Sequence, residues 1–489
     1  MSDRRFFTAL LAVLALIALT FALNWPVSSP PTEAATFPTS LAEVRAAEPG
    51  RRELSIQQWQ TDAGSRVLFV HTDQLPMLDV RMVFNAGSAR DGDLPGLASL
   101  TSALLDQGAD GLDVEDIARE FEDMGVRFST SSHRDMGLVS LTTLSDEEFR
   151  TPALALVTRI LSGPDFPDNA LNRIRTQMLQ SLRMQQQVPG PQVARAYNET
   201  LFGAHPYGIH SGGSPESLPR ITREALADFY EDYYTAGNAV IALVGAVPEE
   251  EARRIAEQLS AALPAGERAP ALPPAAAPRD KTHTHVNFDS SQTHIHIGTQ
   301  LVRRDHEDYV ALYVGNHIFG GGGFNAILMN EVRQKRGLVY GVSSGLSPMA
   351  AAAPFTIVLQ TGNDTADEAL GLTLDLLTEF AAEGPTEEQV ELAVDYLTGS
   401  FAMSTASNSA IVGQLGSMGF YDLPLDYLDQ FQRDIAAVTP SQIRDALRRH
   451  LDPQRVVIAS IGPRQPQERL PEDVTGEDAI GEDSARDDQ

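Results

Sequence analysis

Four histidines stand closest to a metal-binding pattern. His283 and His285 alternate on one probable strand, and His294 and His296 on the next. A period of two puts each pair on one face of a sheet. If the strands were neighbours, four imidazoles could converge on a metal ion; the plainer reading is polar residues on a wet face. His306, Glu307 and Asp308 read as a helix start rather than a ligand set, because acids are favoured in the first turn. Phe319 to Phe324 encloses four consecutive glycines. Neither the Lys-Ser/Thr of a phosphate loop nor the acid of a dinucleotide site follows, so the run reads as a tight strand-to-helix passage. Arg333 and Tyr340 can each donate a hydrogen bond to a developing oxyanion without a metal of their own. Residue type alone favours a quieter role, with Arg333 paired to a carboxylate and Tyr340 half-buried in a sheet. The chain has no cysteine, which excludes disulfides, thiolate ligands and a Cys nucleophile.

The elements that must position these groups follow from periodicity. Short apolar or alternating runs rich in β-formers predict strands at Val67–Val70, Leu78–Phe84, Leu138–Leu144 and Val240–Val244. Helical spacing runs from Gly96 to Gln107 and from Val114 to Met124, and a helix-rich stretch follows from Thr151 to Tyr234. Ala269 to Pro278 is dominated by proline and alanine and reads as an extended, semi-rigid linker. The second half echoes the first. Thr222 opens a helix leading to a strand that ends at Gly245, and Thr439 opens one leading to Gly462 at the same separation. Threonine suits an N-cap, and Pro440 is tolerated in the first turn. Together these matches suggest a duplicated α+β unit.

At 489 residues the chain exceeds a single core. Its 42% hydrophobic and 21% charged residues are those of a globular protein. A net charge of −29 argues against nucleic acid as a partner. Arg4 and Arg5 precede an uncharged run from Phe6 to Leu23, whose length at ~1.5 Å per helical residue comes close to a bilayer core. That favours an inner-membrane anchor with the arginines inside, a cleaved signal being the alternative. Either way the body is expected to be exported, to the periplasm of a bacterium.

Several segments, taken in order, carry a family resemblance. Ala86-Gly87-Ser88-Ala89-Arg90-Asp91 precedes Gly96-Leu97-Ala98, and His205-Pro206-Tyr207-Gly208 follows. Gln292 to Gly298 then leads to the glycine run, and Glu331 to Tyr340 comes next. In this order they resemble the M16 (pitrilysin/insulinase) peptidases over residues 55–464. The resemblance implies an α+β fold of two similar domains, each a mainly antiparallel sheet backed by helices, usually closing around a chamber. In active members one helix carries H-x-x-E-H, with two imidazoles holding Zn²⁺ and the carboxylate acting as general base. Here those positions are Ser99, Ser102 and Ala103. A further glutamate ligand is also missing: no Asp or Glu lies between Asn169 and Asn198, and Gln180 and Ser181 sit near its expected place. Arg333 and Tyr340 keep the spacing of the family's substrate-binding pair.

The resemblance thus implies a non-catalytic subunit holding no metal of its own. It would donate Arg333 and Tyr340 to a zinc-bearing paralogue in peptide proteolysis, as a heterodimer or higher oligomer. The alternative is a purely structural or peptide-binding relative. The expected organisation is a signal anchor or signal peptide at 1–24, a flexible tether at 25–50 and a first M16-like domain at 51–264. A Pro/Ala linker follows at 265–282, then a second M16-like domain at 283–464 and an acidic disordered tail at 465–489.

Overall fold

The computed structural model describes residues 54–463. The anchor, the tether and the acidic tail expected from the sequence lie outside the described residues. No described helix is long and apolar enough to cross a membrane.

The first half runs β1 (Gln57–Gln60), β2 (Arg66–His71), β3 (Met77–Phe84), α1 (Leu97–Leu104), β4 (Gly108–Ala109), β5 (Leu112–Asp113), α2 (Val114–Asp123), β6 (Arg127–Ser132), β7 (Gly137–Leu144), α3 (Glu147–Ser162), α4 (Asp168–Gln185), α5 (Pro189–Phe202), α6 (Arg223–Tyr233), β8 (Ala239–Gly245) and α7 (Glu249–Ala261). The second half runs β9 (Thr282–Asn287), β10 (Gln292–Gln300), α8 (Tyr309–Asn316), β11 (Val339–Leu346), β12 (Pro354–Gly362), α9 (Ala366–Glu383), α10 (Glu387–Phe401), α11 (Asn408–Phe420), α12 (Tyr427–Ala437), α13 (Pro440–His450) and β13 (Val457–Gly462).

Two sheets result, ordered β1-β2-β8-β3-β7-β6 and β11-β12-β10-β13-β9. Read from its other end, the second repeats the first without β1. Each has one parallel pair, β2 with β8 and β9 with β13, among antiparallel neighbours. The equivalent helices α6 and α13 start where the sequence places them. The Thr222 and Thr439 hydroxyls accept from the third helical N–H at 3.3 Å, and Gln442 completes a capping box. β6 and β11 are equivalent edge strands. β6 was not evident in the sequence, because Arg127-Phe128-Ser129-Thr130-Ser131-Ser132 is a polar edge with few β-branched residues.

The two halves exchange helices. α11 from the second half packs Ile411, Val412, Leu415 and Met418 onto Leu68, Val83, Val240 and Ala242 of the first sheet. α5 from the first half packs Val193, Tyr197 and Leu201 onto Val457, Ala459 and Ile461 of the second. Both faces of β8 are therefore covered, and all its residues are buried. At ~1.5–3 kcal/mol per buried large apolar side chain, separating the halves would cost far more than a hinge normally does. The described residues, 54–463, accordingly fall within one compact unit.

The glycine run departs from the expected strand-to-helix passage. It links helical segments: a π-helical turn at His317–Gly321 continues α8, and another at Met329–Gln334 precedes β11. Gly320 permits this by lying against β11, where a Cβ would come within 2.5 Å of Ser344 Oγ.

Candidate functional site

α1 carries the three positions where zinc chemistry would reside. Its start is held by Asp91, whose carboxylate accepts from Gly96 N and Ala98 N, both at 2.7 Å. Gly96 stands before the helix at φ 96°, in the left-handed region that glycine tolerates. Burial pushes the Asp91 carboxyl up to about 7, against the two N–H groups that favour its charge.

The side chains that follow do not suit a metal. Ser99 spends its hydroxyl on the Ser211 carbonyl at 2.8 Å, tying the loop after the HPYG segment onto the helix. Ser102 is buried facing the Tyr234 hydroxyl, outside regular hydrogen-bond geometry, and neither oxygen has another partner. Ala103 offers no donor. Gln180 and Ser181, at the place expected for a further ligand, are exposed on α4, whereas Met178 and Leu179 pack against the core that includes Leu100 and Leu104. One bonded hydroxyl, one buried hydroxyl and an alanine do not make a zinc ligand set. Edge strand β6 borders this helix, with Thr130 Oγ1 donating to the Ser102 carbonyl at 2.7 Å.

Arg333 and Tyr340 lie on the equivalent edge of the other half. Arg333 sits in the π-helical turn before β11, a local widening that recurs at functional positions. Tyr340 is the extra residue of a β-bulge: Val339 pairs with Thr361 and Gly341 with Gln360, leaving Tyr340 unpaired between them. The bulge turns the ring outward, and Tyr340 is 78% exposed. The Arg333 guanidinium is sandwiched between two rings, its Cζ 5.6 Å from the Tyr340 centroid and 5.4 Å from that of Phe324.

Both quiet readings of this pair are corrected. Among the described residues no carboxylate pairs with Arg333; its hydrogen-bond contact is Met329 Sδ at 3.8 Å. Glu331, the near acid, bridges Lys335 and Arg336 instead. Tyr340 is not half-buried, because the bulge lifts it off the sheet. Phe324, which follows the glycines and is 67% exposed, is the partner that residue-by-residue reading missed.

The other sequence candidates resolve differently. β13 separates β9 from β10, so the four histidines do not converge. His283 and His285 both meet Ser460 Oγ, at 2.8 and 2.9 Å. His296 packs edge-on against Tyr197 on the opposite face, where burial pushes it down to about 4. Asp308 does precede a helix, α8, yet it does not cap it. Its carboxylate takes Arg449 Nε at 3.1 Å and His450 Nε2 at 2.7 Å. His306 stands within 4.8 Å of the Asp308 and His450 donor atoms, but Arg449 already occupies both carboxylate oxygens.

Comparison with known proteins bears on which site is meaningful. The family profile described as Insulinase (Peptidase family M16) matches residues 66–213, and that described as Peptidase M16 inactive domain matches residues 220–397. A crystal structure described as a peptidase M16 inactive domain from Pseudomonas fluorescens is 44% identical, with TM-score 0.82. The match spans 85% of this chain and 100% of that one. The chain belongs to the M16 peptidase family. Non-peptidase homolog YmxG of Helicobacter pylori is 24% identical over 79% of this M16 chain and 89% of its own length. An uncharacterized zinc protease of Mycobacterium leprae is 24% identical over 88% and 97%. The relatives' names point both ways on activity. At Ser99, Ser102 and Ala103 the α1 helix of this M16 chain lacks side chains suited to hold zinc.

Proposed function

We propose that this chain is the non-catalytic subunit of an exported M16-type peptidase, supplying Arg333 and Tyr340 to a zinc-bearing paralogue. One observation carries the reading. Arg333 packs against Phe324 and Tyr340 with no carboxylate paired to it among the described residues, while α1 has no metal-binding side chains. A cation left without an acid on a surface edge suits a group that arrives from outside. The partner would supply zinc and the general base; Arg333 would orient the substrate and Tyr340 would donate to the oxyanion.

Export to the periplasm and tethering through residues 6–23 belong to the same proposal, motivated by the length of that run. Mass spectrometry of the mature N-terminus separates the forms, since a chain starting near Leu23 means cleavage and release.

The second reading is a peptide-binding or structural relative without proteolysis. The edge strands β6 and β11 favour it, because an extended peptide can add to either by main-chain hydrogen bonds. Copurification from the native source, followed by peptidase assay of the complex, tells the two apart. A zinc-bearing M16 partner with peptidase activity supports the first; assembly without turnover supports the second.

A further inference from the structure

Arg304 has no answering charge among the described residues. It lies between β10 and α8, with Cζ 5.8 Å from the Tyr309 ring centroid and 5.7 Å from that of Tyr421. Its Nε is buried without a hydrogen-bond partner. The Tyr427 hydroxyl faces the same guanidinium outside regular geometry and is equally orphaned. Nearby acids are engaged elsewhere. Asp305 pairs with Arg303 at 2.9 Å, and Asp422 with Arg66 at 2.7 Å and Arg268 at 2.6 Å. Among the described residues no carboxylate pairs with Arg304.

Two cavities meet at this side chain. One is a groove of ≈770 Å³ between the halves, walled by Leu272 and Ala275 of the Pro/Ala linker and by Met349. The other, of ≈340 Å³, is lined by Tyr309, Tyr313, Leu346, Tyr427 and Phe431 as well as Arg304. The linker wall is fixed: Arg268 donates to the Phe420 carbonyl at 2.9 Å, and Ala275 N donates to the Ala351 carbonyl at 3.1 Å. Each ring face attracts the guanidinium only weakly. That offsets only part of the desolvation of a partly buried charge with unmade hydrogen bonds. An anion completes the arrangement, and the rings around it select an apolar body.

We propose that Arg304 anchors a binding site for a carboxylate carried on an apolar or aromatic body. The carboxylate would sit on the guanidinium fork, and the body would lie among Tyr309, Tyr313 and Phe431. Peptide C-termini and small aromatic acids share this chemistry. The site is independent of the Arg333–Tyr340 pair and of any peptidase partner.

The test uses the full chain titrated at pH 7 with N-acetyl-phenylalanine and, separately, with its amide, followed by calorimetry. Charge-assisted hydrogen bonds predict at least ~10-fold tighter binding of the acid. Arg304→Gln should erase that preference, and Arg304→Lys, which lacks the fork, should restore only part of it. A hexapeptide ending in phenylalanine, free against amidated, separates the two sources. Tighter binding than N-acetyl-phenylalanine assigns the site to peptide C-termini; equal or weaker binding assigns it to small acids, and either upholds it. Equal affinity for acid and amide, no saturation by the acid up to about 10 mM, or a preference surviving Arg304→Gln overturns the proposal. Should Arg304→Gln fail to fold, the acid–amide contrast on the native chain decides alone.

Discussion

The Arg333 guanidinium lies 5.6 Å from the centre of the Tyr340 ring, and a bulge in an edge strand is what brings the two together. Without the extra residue the strand would keep its alternation, and Tyr340 would not stand out between two paired positions. The pair occupies the edge equivalent to β6, which borders the degenerate α1. The duplicated fold thus carries Arg333 and Tyr340 at one edge and Ser99, Ser102 and Ala103 beside the other.

Because the sandwich is on the surface, its rings should contribute little to stability. Tyr340→Phe and Phe324→Ala are expected within about 0.5 kcal/mol of wild type, or ~1–2 °C in Tm. Thermal melts check this. A drop of several degrees would mean that the rings serve the fold.

The isolated chain should hold no stoichiometric zinc. Ser99 is bonded to a carbonyl, Ser102 is buried against Tyr234 and Ala103 has no donor. Elemental analysis after dialysis is the check. One tightly held Zn²⁺ per chain, lost in Ser99→Ala or Ser102→Ala, would contradict the reading of α1.

Asp91 should make stability depend on pH. Its folded value is raised to about 7, chiefly by desolvation, so the protonated form is favoured in the folded state. The contribution is full below the unfolded value near 4 and is lost as pH rises through about 7. Wild type should therefore lose stability relative to Asp91→Asn between about pH 4 and 8, by on the order of a few kcal/mol. Denaturant melts of both proteins across that window measure the difference. Parallel curves would rule the effect out.

Tyr207 staples the halves together. Its hydroxyl donates to Asp135 Oδ1 at 2.5 Å and accepts from Ala351 N at 3.0 Å, while Asp135 Oδ2 accepts from Ala350 N at 2.9 Å. Tyr207→Phe leaves buried polar atoms unpaired on both sides and should cost ~1–3 kcal/mol. An unchanged denaturation midpoint would show that the staple is dispensable.

Much of this was legible in the sequence, and the illegible parts share a cause. The family, the duplicated strand–helix units and the loss of the metal positions follow from local patterns such as Thr222–Gly245 and Ser99–Ala103. The exchange of α5 and α11 does not, because apolar periodicity shows that a helix has a buried face but not which sheet covers it. β9 and β10 adjoin in sequence and look like a hairpin, yet β13 inserts between them and parts the histidines. The bulge at Tyr340 depends on register with β12, and the isolation of Arg304 depends on acids recruited by other arginines. Both are long-range properties.

The most direct measurement of the central claim is turnover of a peptide substrate by the complex of this chain with a zinc-bearing M16 partner, wild type against Tyr340→Phe. The substitution removes one exposed hydroxyl and keeps the ring that Arg333 packs on. If the hydroxyl donates to the oxyanion, kcat should fall by on the order of 10²–10³ while the complex sizes and melts as wild type. An intact Tyr340→Phe complex cleaving at the wild-type rate would contradict the claim and leave the pair a relic.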